Sequence, residues 1–127
     1  MIVNQGLVTK LNSERTYLAT LIWHLFTNNH TVAASDTTGS YTEAAWTGYA
    51  SVTSLTWGVP TIVGAVALST GSPNPSFGNS SGSSQTFYGW YATDPGGQLV
   101  AAVNIGLTTI TNGGAYVITP STTLAEA

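Results

Sequence analysis

Cysteine is absent from this chain of 127 residues, which removes disulfides, thiolate metal sites and cysteine nucleophiles together. Small secreted domains are often bridged, so the composition favours assembly in a reducing cytoplasm. Charge is scarce too. Two basic and five acidic residues make up 6% of the chain, where a soluble domain carries about a quarter. Lys10 and Arg15 are the whole basic complement, against the roughly six to ten phosphates of an ordinary DNA footprint. With a net charge of −3, no nucleic-acid partner is expected. Long apolar runs are missing as well. Leu18 to Phe26 and Thr61 to Leu68 are the longest, well short of the ~20 residues of a membrane-crossing helix, so no membrane partner is expected. Met1-Ile2-Val3-Asn4-Gln5 has neither a basic region nor an apolar run behind it and does not read as a signal peptide. The sequons at Asn29 and Asn79 carry no meaning without secretion.

What is present is apolar and small: 43% hydrophobic residues, thirteen aromatics, and a surface left to Ser, Thr, Asn and Gly. A domain with so few charges has little to keep it apart from its neighbours. We read it as a part made to be covered by copies of itself or by a partner. The periodicity is two nearly throughout. Residues 4–15 are the exception, where Leu7, Val8 and Leu11 fall at helical spacing beside Lys10 and Arg15, as in a short helix or arm.

Strands are predicted over Thr16 to Thr27, Gly48 to Trp57, Thr61 to Ser69, Gln85 to Thr93 and Gln98 to Ile105. Tyr41 to Trp46 reads as a brief strand or a turn, and Ser76-Phe77 as a short edge strand. In the Gln85 to Thr93 strand, Phe87, Gly89 and Tyr91 share one face and Tyr88 and Trp90 the other. Asp94-Pro95-Gly96-Gly97 makes a hairpin turn, and Thr108 to Thr111 with Ala115 to Thr119 makes a second hairpin around Asn112-Gly113-Gly114. The expectation is an all-β fold: an antiparallel β-sandwich or small barrel of seven or eight strands with a short N-terminal arm or helix. Residues 1–15 would be the arm, 16–120 the β-domain and 121–127 a tail.

Candidate chemistry is thin. His24 shares a predicted face with Ile22 and Phe26 and reads as a packed or interface histidine; His30, in a turn, reads as solvated or bonded to backbone. No metal or cofactor is expected, because a zinc site needs three or four ligands with a second shell. Asp36, Glu43 and Asp94 are the pool for a carboxylate pair of the kind glycosidases use, yet Asp94 is explained by its turn, and Glu43 is placed either to cap local backbone N–H groups or to meet the amino end of another segment. A Ser–His–Asp triad lacks a Gly-x-Ser-x-Gly elbow, and no enzyme is expected. The aromatics could stack against sugars, so a carbohydrate-binding module stays open as the alternative. Aromatics such as Tyr88 and Trp90 also suit a protein interface.

Several strings taken together resemble small virion structural proteins of tailed bacteriophages: Asn4-Gln5-Gly6, Trp23-His24-Leu25-Phe26-Thr27-Asn28-Asn29, Tyr41-Thr42-Glu43-Ala44, Gly48-Tyr49-Ala50 and Phe87-Tyr88-Gly89-Trp90-Tyr91-Ala92-Thr93-Asp94. Asn29 departs from the pattern, which more often has Asp there. The resemblance implies a virion component assembled in the host bacterial cytoplasm, most simply a capsid decoration or cement protein. Its partner would be the major capsid protein, and it would act as a homotrimer. A tail, baseplate or connector protein is the neighbouring reading. On this view Leu7, Val8, Lys10, Leu11, Arg15, Tyr88 and Trp90 are the expected interface residues, and the motifs name no catalytic residue.

Overall fold

The computed structural model describes residues 5, 8, 9, 11, 17–53, 55–59, 61–63, 66–72, 74–118 and 121–125. It is mostly β. In chain order the strands are β1 (Ile22–Phe26), β2 (Thr56–Trp57), β3 (Thr61–Val63), β4 (Val66–Ser72), β5 (Ser76–Gly78), β6 (Gln85–Thr93), β7 (Leu99–Ile110), β8 (Ala115–Val117) and β9 (Ser121–Ala125). Among the described residues helix is confined to a 3₁₀ turn at Thr38–Ser40 and to helical backbone at positions near the N-terminus.

The chain forms two compact units. One gathers Leu21–Thr53 and Ser76–Val117; the other gathers Met1–Thr20, Ser54–Pro75 and Ile118–Ala127. The first unit holds an antiparallel sheet in the order β1-β6-β7 and a two-stranded β5-β8 ladder. In the second, β4 pairs antiparallel with β2, β3 and β9.

The centre of the first unit draws on both faces of β1 and β6. Trp23, Leu25 and Phe26 of β1 and Phe87, Tyr91 and Ala92 of β6 are buried, and β1 lies against β6 with Phe26 opposite Gly89 and His24 opposite Tyr91. Gly89 is required there. A Cβ on it would stand 2.8 Å from Cε1 and Cζ of Phe26, and against the Val103 carbonyl. At the end of β6 the predicted turn forms. The Asp94 N–H donates to Gln98 O, the Gly97 N–H to Asp94 O and the Gln98 N–H to Asp94 Oδ1, with Gly97 at φ 85°.

The outer edge of β1 is closed by the returning loop. Trp23 and Val52 exchange backbone hydrogen bonds at 2.8 and 3.0 Å, the Ala44 N–H donates to Leu25 O and the Thr27 N–H to Thr42 O. Asn28 fixes that return, donating from Nδ2 to Ser40 O and accepting at Oδ1 from the Thr42 N–H. Further on, the Trp46 indole N–H donates to Gly78 O and the Ser80 N–H to Thr47 O.

Several expectations from the sequence are corrected. The count of seven or eight strands does not hold, because segments read as single strands divide or fail to pair. Thr61 to Ser69 splits into β3 and β4, which pair with each other. Gly48 to Trp57 yields a lone bridge at Val52 and the short β2, since Gly48 turns at φ 91°. The first strand starts at Ile22, because Tyr17 and Leu18 are helical and Ala19-Thr20 turn. The second hairpin is absent: β7 runs unbroken to Ile110, and β8 pairs with β5. Asn79 causes this divergence, accepting from the Gly113 N–H and donating to Gly114 O through its backbone. Residues 121–125, read as tail, form β9, as the β-favouring Ser-Thr-Thr-Leu string permits.

Candidate functional site

The chemistry-bearing side chains of the first unit converge on one assembly along the inner face of β1 and β6. His24, projecting from β1 opposite Tyr91, lies 2.8 Å through Nδ1 from Glu43 Oε2 and 3.0 Å through Nε2 from Thr93 Oγ1. The Tyr49 hydroxyl donates to the same Glu43 oxygen at 2.7 Å and accepts from the Leu25 N–H at 3.2 Å. The loop places a second set beside it. His30 Nε2 lies 2.9 Å from Asp36 Oδ1, and Asp36 Oδ2 accepts from the Tyr41 hydroxyl at 2.7 Å and the Ala33 N–H at 2.9 Å. Each set is a histidine, a carboxylate and a tyrosine.

Stacked rings join the two sets. His24 lies on Tyr91 with centroids 4.6 Å apart and planes 15° from parallel; Tyr91 stacks on Tyr41 at 5.2 Å and 19°. His30 meets Tyr41 edge-on at 5.1 Å, and Phe26 packs its edge on Tyr41 at 4.8 Å. Offset and edge-on pairs of this kind suit the ring quadrupole. Tyr88 and Leu99 pack against this cluster from outside.

The electrostatics follow the hydrogen bonds. The Asp36 carboxyl is lowered to about 2, first by the Tyr41 hydroxyl, then by the Ala33 N–H and His30. Tyr41 is raised to about 12, chiefly by burial and then by its bond to Asp36. Burial also raises Tyr91 to about 12, with the Glu43 charge adding to it. Tyr49 moves upward more strongly, by burial first and the Glu43 hydrogen bond second. The Asp36 carboxylate is thus held as an acceptor and the Tyr41 and Tyr49 phenols as donors.

Thr93, His24 and Glu43 stand in the order of a hydroxyl, a base and its orienting acid. The hydroxyl end is closed, however: Thr93 is 4% exposed, and Nε2 meets it inside the sheet rather than at a cleft. The assembly acts as a tie that holds residues 28–53 to β1 and β6. Beside it lies an open cavity of about 500 Å³ lined by Asp36–Gly39 and Gly97–Leu99, crossed by a 2.6 Å bond donated from Thr38 Oγ1 to Gly97 O. Both Asp36 oxygens are already engaged in the tie. Among the described residues no group of three His, Cys, Asp or Glu side chains is placed to hold a metal. No described helix is long and apolar enough to cross a membrane.

Asp36, Glu43 and the two histidines, the residues that the sequence offers as candidate chemistry, do come together, in two hydrogen-bonded sets. His30 is bonded to a side chain rather than to backbone, and Glu43 bridges His24 and Tyr49 rather than capping backbone. Asp94 stands apart in its turn. Tyr49, Tyr41 and Thr93 escape a reading of the sequence; the one available signal is that a protein with two imidazoles and few acids tends to pair them on burial.

Of the expected interface residues, Leu7, Lys10 and Arg15 lie outside the described residues. Val8 is half-buried and Leu11 fully buried. Trp90 tilts against Trp23 at 5.2 Å. Tyr88 is half-buried like Trp90 and packs against the Phe26–Tyr41–Tyr91 cluster. No family model, no curated protein and no solved structure matches this chain.

Proposed function

We propose that this protein is a structural component of a tailed-phage virion: a decoration protein that cements the capsid shell by contacts with the major capsid protein. The sandwich or small barrel expected from the sequence belongs to this proposal. One observation carries it. In a chain with seven charged residues, large apolar side chains stand out on several segments, with Val59 71%, Leu107 65%, Val117 50% and Val103 41% exposed. Single exposed apolar residues are ordinary, but such a set on a surface with so little charge suits one that other protein covers. The ionisable groups of the first unit support the same reading, since His24, His30, Asp36 and Glu43 are bonded to one another within the fold.

Binding of this type rests on apolar contact and neutral hydrogen bonds, which avoid the desolvation cost of buried ion pairs. Purified protein mixed with undecorated capsids should co-sediment, with little change between low and moderate salt. Failure to bind any shell, or a steep loss of binding with salt, would overturn the proposal.

A further inference from the structure

The open margin of the β1-β6-β7 sheet is β7. It is 12 residues long, it pairs with β6 on one side, and no described strand pairs with its other side. From Leu99 to Ile110 it carries no charged residue and no proline, the two commonest guards of a free edge. Val100, Val103 and Ile105 are 40–41% exposed along it. Its ladder to β6 shifts register on either side of Ala101–Asn104, which leaves that stretch as the uncharged edge that can template strand addition.

We propose that β7 pairs antiparallel with β7 of a second copy of this chain, about a two-fold axis at Val103. Three observations select this occupant. Two identical edges meet here without repulsion, because neither brings a charge. The sheet's opposite margin, β1, is already occupied by the loop through Val52, Ala44 and Thr42, so a head-to-tail ring built on this sheet has no second open edge to use. A three-fold arrangement through strand pairing is therefore not available to it, and a self-complementary contact is. Pairing also turns a three-stranded sheet into a continuous six-stranded one, nearer the usual size.

The axis follows from geometry. When two identical strands pair antiparallel in one sheet, the two-fold passes through a residue that faces itself. The β6–β7 register shifts at both ends of the Ala101–Asn104 stretch, so the regular part offers Ala102 or Val103. Ala102 packs on the aromatic cluster, whereas Val103 stands exposed opposite Trp90. Centred there, the pairing runs over the regular stretch from Ala101 to Ile105, ~17 Å of strand in a layer ~10 Å thick; beyond it Gly106 turns at φ 83° with its N–H held by Asn104 Oδ1. It covers ~170 Å² per copy, about a fifth of the ~800 Å² per partner in a standard interface. The free dimer is accordingly weak.

The inference goes beyond the cement reading and does not need it. The chain has no cysteine, so single introduced thiols report without background. Val103→Cys should oxidise to a disulfide-linked dimer far faster than Val117→Cys, a comparably exposed control on β8. Sedimentation of the unaltered protein should show a concentration-dependent monomer–dimer equilibrium. Val103→Lys should shift it to monomer, with an unchanged circular dichroism spectrum showing that the fold is kept. Equal cross-linking at positions 103 and 117, or a monomer at millimolar concentration, overturns the inference. A protein that stays monomeric yet binds capsids would reject self-pairing and leave the proposed function standing.

Discussion

Replacing Asn79 is expected to be among the most damaging single changes in the first unit, and two substitutions separate the reasons. Asn79 is 3% exposed. Its Nδ2 donates to Ser83 O and Ile110 O, each at 2.8 Å, and its Oδ1 accepts from the Ser81 N–H at 3.0 Å and the Ser81 hydroxyl at 2.7 Å. Asn79→Ala orphans the buried Ile110 carbonyl, at about 1–3 kcal/mol, and loses loop bonds worth about 1 kcal/mol net because water can reach Ser81 and Ser83. The sum is about 3 kcal/mol, or a fall in Tm of about 10 °C. Asn79→Asp keeps the shape but sets a carboxylate oxygen against two carbonyl oxygens. At pH 7 it should be worse than alanine. The folded state raises the new carboxyl above its unfolded value of about 3.9, so its extra deficit is absent below about pH 4 and grows as pH rises. Urea unfolding of the three proteins at pH 4 and pH 7, each compared with the parent at the same pH, measures this. An aspartate variant as stable as the parent at pH 7 would refute the assigned amide orientation.

Three further outcomes are expected. The Asp36 carboxyl lies at about 2 in the fold against an ordinary 3.8, so its contribution is present above about pH 4 and is lost as pH falls toward 2; Asp36→Asn should flatten that acid limb of the stability curve, and an unchanged limb would count against the tie. Gly89→Ala should cost about 3 kcal/mol by overpacking, read as a lowered Tm, because the methyl would meet the Phe26 ring and the Val103 carbonyl. Tyr49→Phe should cost about 1–2 kcal/mol in chemical denaturation, since it strips the Leu25 N–H of its acceptor while Glu43, partly exposed, regains water.

The parts of the fold that could be read from the sequence are those fixed by neighbours along the chain. Gln85 to Thr93 alternates strongly, and Asp94-Pro95-Gly96-Gly97 carries its own turn chemistry, so β6 and its hairpin to β7 lie where expected. The pairing of β8 with β5 was not legible. The Asn112-Gly113-Gly114 string announces a turn but not that Asn79, more than 30 residues earlier, captures it. The histidine ties were hidden for the same reason: His24 reaches Glu43 across 19 residues and Thr93 across 69. Their formation depends on Asn28 turning the loop back along β1, and alternation says nothing of that.

The loop laid along β1 has a consequence for how far association can go. With bridges at Trp23–Val52 and Phe26–Glu43, that margin is capped by the chain's own backbone, and further strands have nowhere to add. Such a sheet can be extended once and then stops, so an uncharged edge that would otherwise invite fibres would end in a finite pair. Peeling residues 42–52 away would remove the cap, turning a self-limiting contact into an open-ended one.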